Sequence, residues 1–281
     1  MGKEMISVVI ACYNDDQFVT KAVDSILKQT YKNIEIIVVD DGSNAKTKLV
    51  LSTIEPRITK LITQENRGQS IARNNGIKVS KGQLILNLDS DDYFEPEFCE
   101  KAVALLSRNE DIRIVTCWAN RFSESGHSEL VKPRGGSFKN FLFANSALGS
   151  SMFRKGDWYR CDGYEENLPI LGFEDWELYL NILKTGGRAH VIDEVLFNYQ
   201  VRVNSTTDRI RSKKLDKFKE IVLKHKDLYL EDFEDLLDHF IHRVKQEEFQ
   251  VLKTKNKLDF RLGQQILNPI RKIKSIAKKR N

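Results

Sequence analysis

Three aspartates within four residues, Asp89-Ser90-Asp91-Asp92, follow the apolar run Leu84 to Leu88 directly, and a second acidic group, Asp40-Asp41-Gly42-Ser43, follows Ile34 to Val39 in the same way. Carboxylates so crowded repel one another unless a cation or hydrogen-bond donors satisfy them, and hard oxygen ligands suit Mg2+ or Mn2+. An Asp-x-Asp at a strand end can hold such an ion against a diphosphate and stabilise its departure as a Lewis acid. The same composition also makes a solvated turn, because Asp and Ser favour turns. A third acidic pair, Glu174-Asp175, opens the helical pattern in LGFEDWELYLNILKTGG, and a helix N-terminus favours the ionised carboxylate. Acids are equally common in first turns where Trp176, Tyr179, Leu180 and Leu183 only pack a core.

The elements that must position these acids follow from periodicity. Ile6 to Ala11 and Ile34 to Val39 are unbroken apolar, β-prone runs, which marks central strands buried on both faces. Between them Phe18, Val19, Ala22, Val23, Ile26 and Leu27 recur at helical spacing, with Asn14 and Asp15 as N-caps, so the segment reads as a βαβ unit. Helix and strand alternate onward: helix 46–54, strand 58–63, helix 69–79, strand 84–88, helix 97–107 and strand 112–117. Such alternation predicts an α/β fold with a doubly wound, mostly parallel sheet flanked by helices. In such sheets ligands bind beyond the carboxyl ends of the strands, where the acidic groups fall. Residues 121–145 read as loops, 147–153 as a short β segment and 191–199 as extended. From about Thr207 the chain is helical and charge-dense, with Phe218, Ile221, Val222 and then Leu236, Leu237, Phe240, Ile241 and Val244 on helical faces. The expected division is a catalytic domain over 1–205 and a helical C-terminal extension over 206–281.

At 281 residues with 41% hydrophobic and 30% charged content, the chain has the makings of a globular core, not of a disordered or fibrous protein. No apolar segment reaches the roughly 18 residues of a membrane span, and the amino terminus reads as a strand, not a leader. Cys12, Cys99, Cys117 and Cys161 are scattered without ligand spacing, so neither zinc nor disulfides are expected. A cytoplasmic setting fits. The formal charge of +5 is local: Arg271, Lys272, Lys274, Lys278, Lys279 and Arg280 crowd the last residues, and the rest of the chain is near neutral.

VVDDGS, ENRGQSIARNNGI and LNLDSDDYFEP, in that order and at domain-scale spacing, together resemble the family 2 glycosyltransferases of the GT-A fold. The resemblance covers about the first 205 residues. It implies that a single sugar passes from a nucleotide diphosphate donor, UDP above all, to an acceptor hydroxyl with inversion, as in surface polysaccharide or lipid-linked glycan assembly. Carried over by position, it places Asp41 on the donor base and Arg73 near the nucleotide. Asp91 and Asp89 match the metal pair, Asp91 as the direct ligand and Asp89 near the ribose or the metal, with Ser90 beside them and Asp92 in support. Asp175 matches the general base, with Glu174 binding the acceptor or positioning that base. Donor contacts from Ala11, Tyr13 and Asn14 are implied in the first loop, although Ala11 stands where the family often has proline, which leaves that loop less fixed. Where many relatives carry a histidine after the late strand, this chain has Arg202, which can meet the diphosphate but cannot ligate a metal. The Gln-x-x-Arg-Trp motif of processive synthases is missing.

Two further features bear on partners. Ile270, Ile273, Ile276 and Ala277 share one helical face within the basic terminus, so residues 269–281 suit an anionic membrane surface and would make the enzyme peripheral at the inner face of the cell membrane. A solvated basic terminus is the alternative. Trp158, Tyr159 and Tyr164 fall within 121–172, the stretch expected to shape the acceptor site, and serve either as sugar-stacking or as core aromatics. Rival readings are a non-catalytic nucleotide-sugar-binding protein, opposed by the joint presence of Asp91 and Asp175, and a nucleotidyltransferase, opposed by the lack of a glycine-rich phosphate loop near the amino terminus. Nucleic-acid binding is not expected, because the basic tail carries no aromatics and no recognition motif.

Overall fold

The computed structural model describes residues 4–123, 125–202 and 213–278. It divides into two compact units, residues 1–225 and 226–281. The first is built on β1 (Ile6–Cys12), β2 (Ile34–Asp41), β3 (Lys60–Gln64) and β4 (Leu84–Asp89), which pair in parallel in the order β3-β2-β1-β4. The apolar runs that predict these strands are buried on both faces, from Ile6 to Ile10 and from Leu84 to Leu88. The helices α1 (Val19–Leu27), α2 (Ala45–Ile54), α3 (Gln69–Val79) and α4 (Phe98–Arg108) alternate with them.

The sheet continues through β8 (Met152–Arg154), antiparallel to both β4 and β6 (Ile112–Ser123), then through β9 (Arg188–Val201), parallel to β6, and ends on β5 (Tyr93–Phe94). Strand β6 runs six residues beyond its expected end and forms a hairpin with β7 (Ser128–Val131), where a loop was expected. The short helices α5 (Phe138–Phe141) and α6 (Lys155–Arg160) precede α7 (Glu174–Leu183), which opens at the predicted residue. Helix α8 (Lys214–Lys224) belongs to the first unit, so that unit extends past the 205/206 division expected from sequence.

One local expectation is corrected. Neither Asn14 nor Asp15 caps α1 through its side chain: the helix begins at Val19 after Phe18, and the main-chain oxygen of Asp15 accepts from the Phe18 and Val19 amides. Helix α2 is capped by Asn44, whose side chain accepts from Thr47 N, so Asp40 and Asp41 are left to the site. A glycine matters in α3. A Cβ at Gly76 would lie 2.5 Å from Val9 Cγ1 and 3.1 Å from Val39 Cγ2, so its absence lets the helix lie close on β1 and β2 and brings Arg73 toward the strand ends.

The second unit consists of α9 (Lys226–Glu231), α10 (Phe233–Asn256) and α11 (Leu258–Lys278). Leu237, Phe240, Ile241 and Val244 of α10 are exposed. Helix α11 runs through Ile270, Ile273, Ile276 and Ala277, but side chains from 269 onward lie outside the described residues. Among the described residues, no helix is long and apolar enough to cross a membrane.

Candidate active site

The acids singled out in sequence gather where β1, β2 and β4 end, and Arg73 ties two of the groups together. Its guanidinium donates from Nη2 to Asp89 Oδ1 at 2.6 Å and from Nη1 to Asp175 Oδ1 at 2.9 Å, joining the end of β4 to the first turn of α7. Arg73 is 1% exposed. Burial opposes its charge, yet Asp175 and Asp89 hold its pKa well above the ordinary arginine value, so it is a permanent cation. Gln69, one turn earlier on the same face of α3, also donates to Asp89 Oδ1, at 2.8 Å.

Asp175 sits in a polar socket. The Tyr164 hydroxyl donates to its Oδ1 at 3.2 Å and accepts from Asn87 Nδ2. Burial, aided by Asp89 and Glu174, pushes the Asp175 carboxyl up to about 7 against the pull of Arg73. Its side chain remains 18% exposed, so a substrate hydroxyl can reach it. The other oxygen, Oδ2, faces Gly149, where an added Cβ would lie 2.7 Å away. Glu174 is buried, which raises its pKa, and its Oε2 accepts from Gly172 N at 2.6 Å.

Asp91 has a different partner. Arg202 donates from Nη2 to Asp91 Oδ2 at 2.5 Å and from Nη1 to Asp15 Oδ1 at 2.6 Å, while Ser90 Oγ donates to Asp15 Oδ2 at 2.5 Å. Burial and the neighbouring Asp89 push Asp91 up to about 6 against the pull of Arg202. Asp92 accepts from Gln200 N at 2.8 Å, pinning β9 to this loop, and burial with Asp91 and Asp89 raises its pKa well above the usual range. Residues 203–205 of the motif following Tyr199 lie outside the described residues.

Asp41 is held mainly by the chain itself. Its Oδ1 accepts from Gln64 Nε2 at 2.8 Å and Arg67 N at 2.9 Å, and its Oδ2 from Gly68 N at 2.9 Å, which fixes the loop entering α3. One of about four acceptor positions on the carboxylate is left for a ligand. Asn14, at φ 58, links the loops after β1 and β2: its amide donates to Ser43 Oγ at 3.0 Å, and its Oδ1 accepts from Asn44 N at 2.8 Å. Tyr13 beside it is exposed and Ala11 is half-buried.

Of the three aromatics, Trp158 and Tyr164 are buried and cannot stack on a sugar, whereas Tyr159 is 58% exposed. Sequence reasoning missed Asn74, a hub whose Oδ1 accepts from Tyr164 N at 2.9 Å and Trp158 Nε1 at 3.1 Å and whose Nδ2 donates to Tyr164 O at 2.8 Å. It also missed Asp15, Gln69, the Tyr164 hydroxyl and Gly149. Gln69 was within reach, since it precedes Arg73 by one helical turn. The others become visible only when distant segments meet.

The residues fit a divalent cation in one respect and limit it in another. Asp89 and Asp91 supply hard oxygen donors, and the upward shift of Asp91 is what an added cation would relieve. Among the described residues, no three His, Cys, Asp or Glu side chains converge on one point. A cation would therefore take much of its shell from phosphate and water, the usual habit of Mg2+.

The family model described as glycosyl transferase family 2 matches residues 7–159, more than half the chain. An uncharacterised glycosyltransferase of Methanocaldococcus jannaschii is 26% identical over 226 residues, covering 76% of this chain and 77% of its own. WfaP of Escherichia coli, a UDP-Glc:alpha-D-GlcNAc-diphosphoundecaprenol beta-1,3-glucosyltransferase, is 29% identical over 224 residues, covering 78% and 83%. Among solved structures, S. aureus TarS 1-349 with UDP-GlcNAc superposes with a TM-score of 0.61 at 19% identity, over 73% of this chain and 60% of that one. The mannosyltransferase PcManGT from Pyrobaculum calidifontis, solved with GDP-Man and Mn2+, gives 0.61 at 19% identity over 80% and 65%. The chain thus spans about three fifths of the length of these structures, whose likeness bears on the fold. With a GT-A sheet carrying its acids at the strand ends, the chain belongs to glycosyl transferase family 2.

Proposed function

We propose that residues 1–205 form the catalytic part of an inverting, metal-dependent transferase that moves one sugar from a UDP-sugar to an acceptor hydroxyl. The observation that carries this reading is the Arg73 bridge, which holds Asp175 beside the Asp89–Asp91 end of β4. The names of WfaP and of the TarS complex support UDP, and WfaP supports a lipid-linked glycan as acceptor. Residues 269–281 would hold the protein against anionic lipid near such an acceptor.

Asp91 and Asp89 would hold a Mn2+ or Mg2+ ion, which when bound would supply positive charge to the diphosphate as it leaves. Arg202 would exchange Asp91 for a phosphate oxygen, a cation whose fork geometry suits either partner. Asp41 would orient the base through its remaining acceptor position, with Ala11, Tyr13 and Asn14 lining the nucleotide and Ser90 the ribose side. Asp175 would take the proton of the acceptor hydroxyl as its oxygen bonds to the anomeric carbon and the bond to the nucleoside diphosphate breaks. Attack and departure occur on opposite faces, so configuration inverts. Tyr164 and Arg73 keep Asp175 aimed, and Glu174 shapes the acceptor side.

The test is calorimetric titration with UDP, dTDP, GDP and CDP, each with and without Mn2+, alongside nucleotide release from the matching sugars. UDP is expected to bind in a Mn2+-dependent way. Asp175→Asn should keep that affinity while turnover falls by ~10²-fold or more. Absence of binding to all four nucleotides would refute the donor site; undiminished turnover in Asp175→Asn would remove it as the base.

A further inference from the structure

Helix α8 lies outside residues 7–159 matched by the family model and supplies none of the acids discussed above, yet it grips the helix that bears Asp175. Glu177 is two residues beyond Asp175, roughly 200° around the helix, so the two carboxylates leave α7 on opposing faces. Glu177 is 0% exposed. Its Oε1 accepts from Lys224 Nζ at 2.8 Å and from His225 Nε2 at 2.9 Å, whereas its Oε2 is buried without a hydrogen-bond partner among the described residues. A buried carboxylate is costly unless paired, so its two partners at the end of α8 are not interchangeable with solvent.

Three other contacts from α8 reach the same neighbourhood. Phe218 stacks on Trp176 with ring centroids 5.7 Å apart and planes 13° from parallel. Lys217 Nζ donates to Pro169 O at 3.1 Å, and Lys224 also pairs with Glu165 at 2.6 Å. Trp176 and Glu177 follow Asp175 directly, and Glu165 follows Tyr164, the hydroxyl donor to Asp175. Helix α8 therefore fastens the segment that bears the base and the segment that bears Tyr164.

We propose that α8 is a brace for the general base, in which Glu177, held by Lys224 and His225, is the positioning residue that keeps Asp175 within reach of the acceptor hydroxyl. This rests on the reading of Asp175 as base. Proton transfer needs heavy atoms within about 3 Å, and a misplacement of about 1 Å from a remote change can cost roughly 10²-fold. The donor-binding acids lie on other elements, so loosening α7 should affect turnover and leave nucleotide affinity alone.

The experiment compares the full chain with Lys224→Met, Phe218→Leu and the conservative Lys224→Arg. Hydrogen exchange read by mass spectrometry should show the first turn of α7 exchanging at least tenfold faster in the first two variants, with α3 and β4 unchanged. UDP release from UDP-glucose or UDP-N-acetylglucosamine, with water as acceptor, should fall about tenfold in the same two variants at unchanged UDP affinity. Lys224→Arg should restore it. The loss should vanish in an Asp175→Asn background, because a brace acts only through the group it holds. Unchanged exchange in α7, or an equal loss of turnover in the Asp175→Asn background, would overturn the proposal. If Asp175→Asn alone keeps full turnover, the assignment of the base has failed instead, and the exchange result still decides whether α8 braces α7.

Discussion

The ends of β2 and β4 carry almost the same acidic sequence, and the chain satisfies them in opposite ways. Asp41 is held by Gln64 Nε2 at the end of β3 and by two main-chain amides of the loop that follows, all neutral donors. Asp89 and Asp91 are held by the guanidinium groups of Arg73 and Arg202, cations carried on other elements. A carboxylate bound by main-chain amides is part of the framework; Asp91, bound by the partly exposed Arg202, can change partners when a ligand brings other charges, whereas the arginine on Asp89 is itself buried. Strand-end acids are thus of two kinds, and only the second is suited to a site that must open and refill.

Stability is where the contrast should be largest. Asp41→Ala leaves two amides and a side-chain amide without an acceptor and should cost about 3 kcal/mol, read from urea denaturation. Asp91→Ala should leave the midpoint unchanged or raised, because burial already disfavours its charge. Equal losses at the two positions would break the comparison.

Binding should show the reverse order. Asp91→Asn should weaken UDP binding about tenfold or more in Mn2+ and change little without it, as read by calorimetry. A Mn2+-independent loss would move Asp91 into the same class as Asp41.

The pH dependence sharpens the point. A carboxyl whose folded pKa is raised binds more protons in the folded than in the unfolded state, so its contribution to stability falls as pH rises between the two values. With Asp91 pushed up to about 6, the stability of Asp91→Asn relative to the parent should grow from about pH 4 to about pH 6 and level above. Turnover responds to a different group: as the proposed base, Asp175 would have to be ionised to act, so kcat should rise with pH through about 7 and then flatten.

The smallest expected change tests Arg202. Arg202→Met should raise the affinity for Mn2+ alone a few-fold, since Asp91 loses its resident cation, and lower the affinity for UDP. Calorimetry with metal and with nucleotide reads both.

Much of the framework was legible because burial leaves a plain mark on sequence. Strands β1, β2 and β4 are largely apolar runs, and the acids Asp40, Asp41 and Asp89 close β2 and β4 at their carboxyl ends. The opening of α7 at Glu174 was legible for a similar reason, its acids marking a first turn. The β6–β7 hairpin was not, because Ser128 to Val131 lies on the surface, where polar residues carry no alternation to read. The start of α1 was misread because Asp15, a good capping residue, spends its side chain on Ser90 and Arg202, 75 and 187 positions away. Asn74 illustrates the general limit. Nothing in Ala-Arg-Asn-Asn-Gly separates an asparagine that organises Trp158 and Tyr164 from its neighbour Asn75.

The bare main chain at Gly149 has a practical consequence. A single methyl group there would press on Asp175 Oδ2 while Arg73 and Tyr164 hold Oδ1, so the carboxylate would have to rotate out of its socket. Gly149→Ala would change no charge and touch neither Asp89 nor Asp91. On the proposed function it would yield a stalled form that still captures donor, a protein able to display its sugar without spending it, and hence a means of fishing for the acceptor.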